Sequence, residues 1–122
     1  MDLFLRTPSF SRRQTSRVNA PRAVPVCWRS NGRDNLSRVR NLSVGGLFIE
    51  TAMPRPVGAT AKIDFLVQEG QIRADAIVRH VEPRDGMGLK FTAVPEADRA
   101  HLGMLITRLR QDSARRPSAE GG

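Results

Sequence analysis

The chain has 122 residues, of which 39% are apolar and 26% are charged, and its formal net charge is +8. This length and composition suit one compact domain and exclude a large multidomain enzyme. The sequence has no run of about 18 apolar residues, as a membrane helix needs, and the apolar start at residues 3–5 is too short for a signal peptide. We therefore expect a cytoplasmic protein.

The positive charge is concentrated in the N-terminal third of the chain. Residues 1–40 carry nine Arg against Asp2 and Asp34, and of the 20 basic residues in the chain only Lys62 and Lys90 are Lys. Arginine forks onto phosphates and stacks on bases. This distribution favours an anionic partner such as a nucleotide, a nucleic acid or a membrane surface.

The beginning of the chain predicts an arm followed by strands. Residues 1–17 show no hydrophobic period and mix Ser, Thr, Pro and Arg, so we predict a flexible arm there and a folded domain over 18–110. Pro21 and Pro25 favour an edge position for the first strand, at 23–29. A turn over 30–35 is expected to lead into the second strand.

Short strands separated by tight turns are predicted as far as residue 92. After the first strand they cover residues 36–42, 47–51, 61–67, 72–81 and 87–92. Antiparallel strands of this kind hide their edges best when the sheet closes on itself. We therefore expect an all-β fold, a six-stranded antiparallel β-barrel with one C-terminal α-helix.

The hydrophobic period changes to a helical one after Val94. Pro95 suits a first helical position, and an apolar stripe at helical spacing follows, formed by Leu102, Leu105, Ile106 and Leu109. The pattern predicts a helix that ends near Arg110 and packs on the barrel. Residues 111–122 lack apolar side chains, and we predict a disordered tail there.

Two short constellations carry candidate chemistry. Arg12, Arg13 and Arg17 place three guanidinium groups within six residues of the arm; they can converge on one anion if another surface holds that anion in place. A solvated basic tail is the alternative. Asn41 and Ser43 lie two apart on a strand, so they share a face, and Gly46 follows at a corner that lets a ligand approach the backbone. An ordinary turn built from turn residues is the alternative here.

Together, the segments RRQTSR and NLSVGG resemble the signature of the PilZ family of cyclic di-GMP receptors, RxxxR followed by [D/N]xSxxG. The resemblance covers about residues 11–110 and implies a barrel that binds the dinucleotide on its outer surface. Because residues 1–17 have few apolar groups and three clustered Arg that repel one another, we expect the ligand to order the arm and the signal to pass to a downstream protein partner. The implied ligand-binding residues are Arg12, Arg13, Arg17, Asn41, Ser43 and Gly46.

Three other classes of protein are alternatives to this interpretation. An enzyme or a metal site is disfavoured because Cys27, His80 and His101 fall in different elements. A barrel that binds single-stranded nucleic acid would stack bases on aromatic rings, whereas this chain has no Tyr, and Phe48, Phe65 and Phe91 are expected in the core. A PilZ-like adaptor that binds a protein and no nucleotide stays open. No metal and no cofactor other than the ligand is expected.

Overall fold

Seven strands and one helix make up the part of the chain that the computed structural model describes, residues 17–20 and 24–121, with side chains as far as residue 112. The predicted arm, apart from Arg17, lies outside the described residues. The elements are β1 (Val18–Asn19), β2 (Pro25–Ser30), β3 (Arg33–Ser43), β4 (Gly46–Glu50), β5 (Thr60–Phe65), β6 (Ile72–Glu82), β7 (Gly86–Ala93) and α1 (Glu96–Gly121).

Six of these strands close into an antiparallel barrel, which confirms the expected fold class. The order is β2, β3, β4, β7, β6, β5, and β5 pairs with β2 again. The two-residue strand β1 pairs with the C-terminal end of β3, beside β2. The prediction of an edge position for the first strand was wrong, because β2 has a partner on both sides. Pro25 is tolerated since it is the first residue of its strand.

The turn between β2 and β3 is shorter than the predicted six residues. Asn31 and Gly32 both have positive φ, 55° and 73°, as a two-residue hairpin turn of type I′ requires. Because this turn leaves the neighbouring residues free to pair, Ser30 and Arg33 already belong to the two strands.

The apolar stripe of α1 closes the barrel core as predicted. Its four members are at most 4% exposed and pack with the inward side chains of the strands. Phe65 and Phe91 also belong to this core, but Phe48 does not. Phe48 is 6% exposed because a neighbouring side chain covers it on the outer face of the barrel.

The helix does not end near Arg110. It continues to Gly121, through residues predicted to be a disordered tail. Residues 111–116 include Gln, Ala and two Arg, residue types whose intrinsic propensity favours helix, and Arg108 pairs with Asp112 one turn later, at 4.0 Å. No helix among the described residues has the length and apolar content that crossing a membrane requires.

Arg108 also fastens the helix to the loop between β5 and β6. Its guanidinium donates to both carboxylate oxygens of Glu69, with 3.1 Å between Nη2 and Oε1. These hydrogen bonds hold the pKa of Glu69 below its ordinary value. Because the folded state then binds this proton less readily than the unfolded state, the pair stabilises the fold at neutral pH. That contribution is lost as the pH falls through the folded-state pKa.

We therefore expect Glu69→Gln to lower Tm at pH 7 by about 4–8 °C, the equivalent of about 1 kcal/mol. At a pH below the lowered pKa of Glu69, where its carboxyl is protonated, variant and parent should melt together. Thermal denaturation followed by circular dichroism at both pH values measures this. An equal gap at the two pH values would contradict the role given to the ion pair.

Candidate functional site

The short strand β1 places the last residue of the arm beside the second motif. Val18 pairs with Leu42 and Asn19 pairs with Asn41, and Val18 is buried in the core. Arg17 directly precedes this anchor, and its Nη1 donates to Asn41 Oδ1 at 2.9 Å. One residue of each predicted constellation is thus in direct contact, and this described hydrogen bond uses one of the N–H donors of Arg17. Arg12 and Arg13 lie outside the described residues.

Ser43 holds the turn between β3 and β4. Its hydroxyl accepts a hydrogen bond from the backbone N–H of Gly45 at 3.1 Å and lies 3.4 Å from the carbonyl oxygen of Gly46, to which it donates. The side chain is 2% exposed. These hydrogen bonds are those of the turn interpretation, and the corner that Ser43 shapes lies in the lining of the candidate site.

Gly46 is required by a neighbouring strand. A Cβ at this position would lie 2.2 Å from the carbonyl oxygen of Leu89 in β7. Its φ is not among the positive values found at Gly32, Gly58 and Gly70. The close approach expected at Gly46 is therefore made by β7, and Gly45 is the glycine that faces solvent at this corner.

The outer face of the barrel carries a row of side chains across four strands. Asn41 pairs with Phe48, Phe48 with Gly88, and Gly88 with His80. A β-bulge precedes each end of the row, at Arg40 in β3 and at Arg79 in β6, where the register shifts by one residue. Bulges re-aim side chains and are frequent beside functional sites.

One side of this row is neutralised by ion pairs. Arg40 lies over the Phe48 ring, 4.3 Å from its centroid, and contacts Glu82 at 3.3 Å and Glu50 at 3.5 Å. Arg38 contacts the same Glu50 at 3.1 Å. Because both arginines form ion pairs with carboxylates of the protein, we interpret them as structural residues beside the site.

The other side of the row is an open groove of about 340 Å³ that is cationic. Within the described residues, neither Arg79 nor Lys90 has an ion-pair partner, and no carboxylate lines the groove. His80 lies 3.4 Å from Glu82 at the margin. Unpaired cations in a concave surface attract an anion. The groove is lined by Arg17, Ser43, Gly45, Arg79, His80, Gly88, Leu89 and Lys90.

A larger groove of about 660 Å³ on another part of the barrel has a different character. Its cations face carboxylates: Arg29 contacts Asp34 at 2.7 Å, and Lys62 contacts Asp75 at 3.1 Å. Cys27 also lines it as a free thiol. Because its positive and negative charges are balanced, this groove attracts an anion less strongly than the smaller groove does.

Sequence reasoning missed Arg79, His80, Gly88 and Lys90 as part of the site. Strand alternation alone would place Arg79 and His80 on opposite faces, and only the bulge brings both into one groove. The single available signal was the basic pair RH inside a strand pattern. No group of three or more His, Cys, Asp or Glu suited to a metal ion occurs in the described ranges.

Comparison with known proteins gives a family and a shared fold. The family model described as "PilZ domain" matches residues 11–108. The solved structure of the PilZ domain with c-di-GMP of YcgR from Escherichia coli is similar, with a TM-score of 0.71 and 19% identity, over 88% of this chain and 98% of that one. No curated protein matches the sequence.

Two longer proteins are similar over part of their length. The Bacillus subtilis inhibitor of motility, MotI/DgrA, gives a TM-score of 0.68 at 23% identity, over 85% of this chain and 53% of that one. The Borreliella burgdorferi PlzA protein in complex with c-di-GMP gives 0.65 at 12% identity, over 84% of this chain and 45% of that one. The chain thus spans about half the length of these two proteins, and the likeness to them shows the fold.

Proposed function

This chain belongs to the PilZ domain family, and we propose that it is a receptor for cyclic di-GMP. The observation that carries the proposal is the groove beside the Arg17–Asn41 hydrogen bond, whose described lining holds Arg79 and Lys90 without ion-pair partners and no carboxylate. Cyclic di-GMP brings two phosphate charges and two guanines. Its negative charge matches the positive charge of such a surface.

Arginine suits guanine as well as phosphate. Each guanine presents O6 and N7 as acceptors on one edge, and a guanidinium can fork onto that edge or stack on the ring. Arg17 has several N–H donors, and its described hydrogen bond to Asn41 uses one of them. We assign Arg12 and Arg13 to the same ligand from their place in the motif RRQTSR.

We propose that Asn41 and Ser43 orient these contacts. Asn41 holds the Arg17 guanidinium at the groove, and Ser43 fixes the corner at Gly45. Gly46 supports the site by letting β7 pack closely. Ligand binding would then tie the arm to the barrel, and the changed surface would be recognised by a protein partner in the cytoplasm.

The proposal assigns no chemical step to the groove. Ser43 is a hydroxyl on its lining, and the proton of that hydroxyl points to the Gly46 carbonyl and not to a base. His80 is directed to Glu82 at the margin. Among the described residues that line this groove, no nucleophile is paired with a base, as nucleophilic catalysis requires.

Isothermal titration of the protein with cyclic di-GMP and with cyclic di-AMP tests the proposal. We expect saturable binding of cyclic di-GMP, and at least about tenfold weaker binding of the adenine compound, because adenine replaces the O6 acceptor with an amine donor. Equal affinities would contradict the guanine contacts. Failure of both to bind would favour a protein adaptor, and steeply salt-dependent binding of oligonucleotides would favour a nucleic-acid-binding barrel.

A further inference from the structure

Lys90 and Arg79 form a second cationic wall of the groove, opposite the arm. We propose that Lys90, assisted by Arg79, binds a phosphate on one side of the nucleotide, while the arm binds the opposite side of the same nucleotide. This inference rests on the proposed function and deepens it, because it gives the ligand surface two walls on different strands. Neither residue belongs to the sequence motifs.

The cross-strand pairing puts Lys90 next to the motif corner. Ser43 pairs with Gly46 and Gly46 pairs with Lys90, so one row leads from β3 through β4 to β7. Since Gly46 has no side chain, the row has no side chain between Ser43 and Lys90. The lysine is exposed, and a compact ammonium on a flexible stem is suited to a phosphate oxygen.

The spacing of the two walls fits a ligand with more than one anionic group. Asn41, which holds Arg17, lies on β3, and Lys90 lies two strands away on β7. Adjacent strands are about 4.8 Å apart, so the walls are separated by roughly 10 Å. A cyclic dinucleotide carries phosphates and bases on both of its sides, so one molecule can meet both walls at this separation.

Gly88 leaves the floor between the walls open. A Cβ at this position would lie 3.6 Å from His80 Cβ and 3.7 Å from Phe48 Cδ2, which is ordinary contact, and the φ of Gly88 is not positive. The packing of the barrel therefore does not demand glycine here, in contrast to Gly46. The missing side chain instead keeps space in the groove lining.

The two lysines of the chain provide a direct test. Lys62 is exposed, contacts Asp75 and lies in the charge-balanced groove, so it serves as an internal reference for Lys90. The protein is acetylated with a limiting amine-reactive ester, with and without saturating cyclic di-GMP, and both sites are quantified by mass spectrometry. We expect the ligand to slow modification of Lys90 at least about fivefold and to leave Lys62 unchanged. The lysine must lose a proton before its nitrogen can attack the ester, and a phosphate bound to the ammonium opposes that loss and shields the nitrogen.

Matched variants give the second readout. Lys90→Gln and Arg79→Gln are each expected to weaken cyclic di-GMP binding about tenfold in titration calorimetry, and Lys62→Gln to leave it unchanged. If the parent protein binds the ligand while Lys90 stays reactive and Lys90→Gln binds normally, this inference is wrong and the receptor function stands. If the parent protein does not bind cyclic di-GMP at all, both are wrong.

Discussion

Gly46→Ala is expected to destabilise the barrel by about 3 kcal/mol or more and to lower Tm by more than about 10 °C. The added Cβ would sit 2.2 Å from the Leu89 carbonyl oxygen and 3.2 Å from Lys90 Cα, and both are backbone atoms of the paired strand β7. Backbone cannot turn away as a flexible side chain can. The clash can therefore be relieved only if the paired strands β4 and β7 move apart, which opens the barrel between them.

Gly88→Ala is the matched control for this substitution. It also adds one methyl group to a buried glycine of the same outer face, but the new atom would meet its neighbours at 3.6 Å or more. We expect its free energy of unfolding to stay within about 1 kcal/mol of the parent. Urea denaturation of both variants measures the contrast. A Gly46→Ala protein as stable as Gly88→Ala would show that β7 does not need the close approach.

The fold could be predicted where local patterns and closure agree. The alternating apolar residues of β5 and the apolar stripe of α1 can each be buried in only one orientation, and both are buried as predicted. The position of β2 could not be predicted from Pro25, because a proline at the first residue of a strand is equally compatible with an interior position. Only the pairing of β5 with β2 decides that question, and it depends on residues far apart in sequence.

The sequence motifs predicted the part of the candidate site that holds Arg17 and Asn41, but they did not predict the part formed by β6 and β7. Asn41 and Arg17 are joined as a shared ligand surface requires, although they are 24 residues apart. Arg79 could not be placed, because a bulge changes which face a side chain occupies and leaves no mark in strand alternation. Phe48 was misplaced for a related reason: Arg40, the bulge residue of β3, covers its ring from outside and buries it without core packing.

Arg17→Ala is expected to weaken cyclic di-GMP binding at least about tenfold, the loss of one charge-assisted contact. The fold should be unaffected, because Arg17 is exposed and its one described hydrogen bond is to Asn41 on the surface. Arg33→Ala is the matched control. It removes the same charge from an exposed position at the opposite end of β3, so it reports the effect of net charge alone.

Hydrogen exchange on the same proteins locates where the loss arises. In the parent protein we expect cyclic di-GMP to raise protection over residues 12–17 and 41–46, because the ligand ties the arm to the groove beside Asn41, at an ordering cost of about 1–2 kcal/mol per fixed residue. Arg17→Ala should lose this protection in the arm at a ligand concentration that saturates Arg33→Ala. If Arg17→Ala binds with the affinity of the parent, the arm is a solvated basic tail, and the anion is held by the groove of β6 and β7 alone.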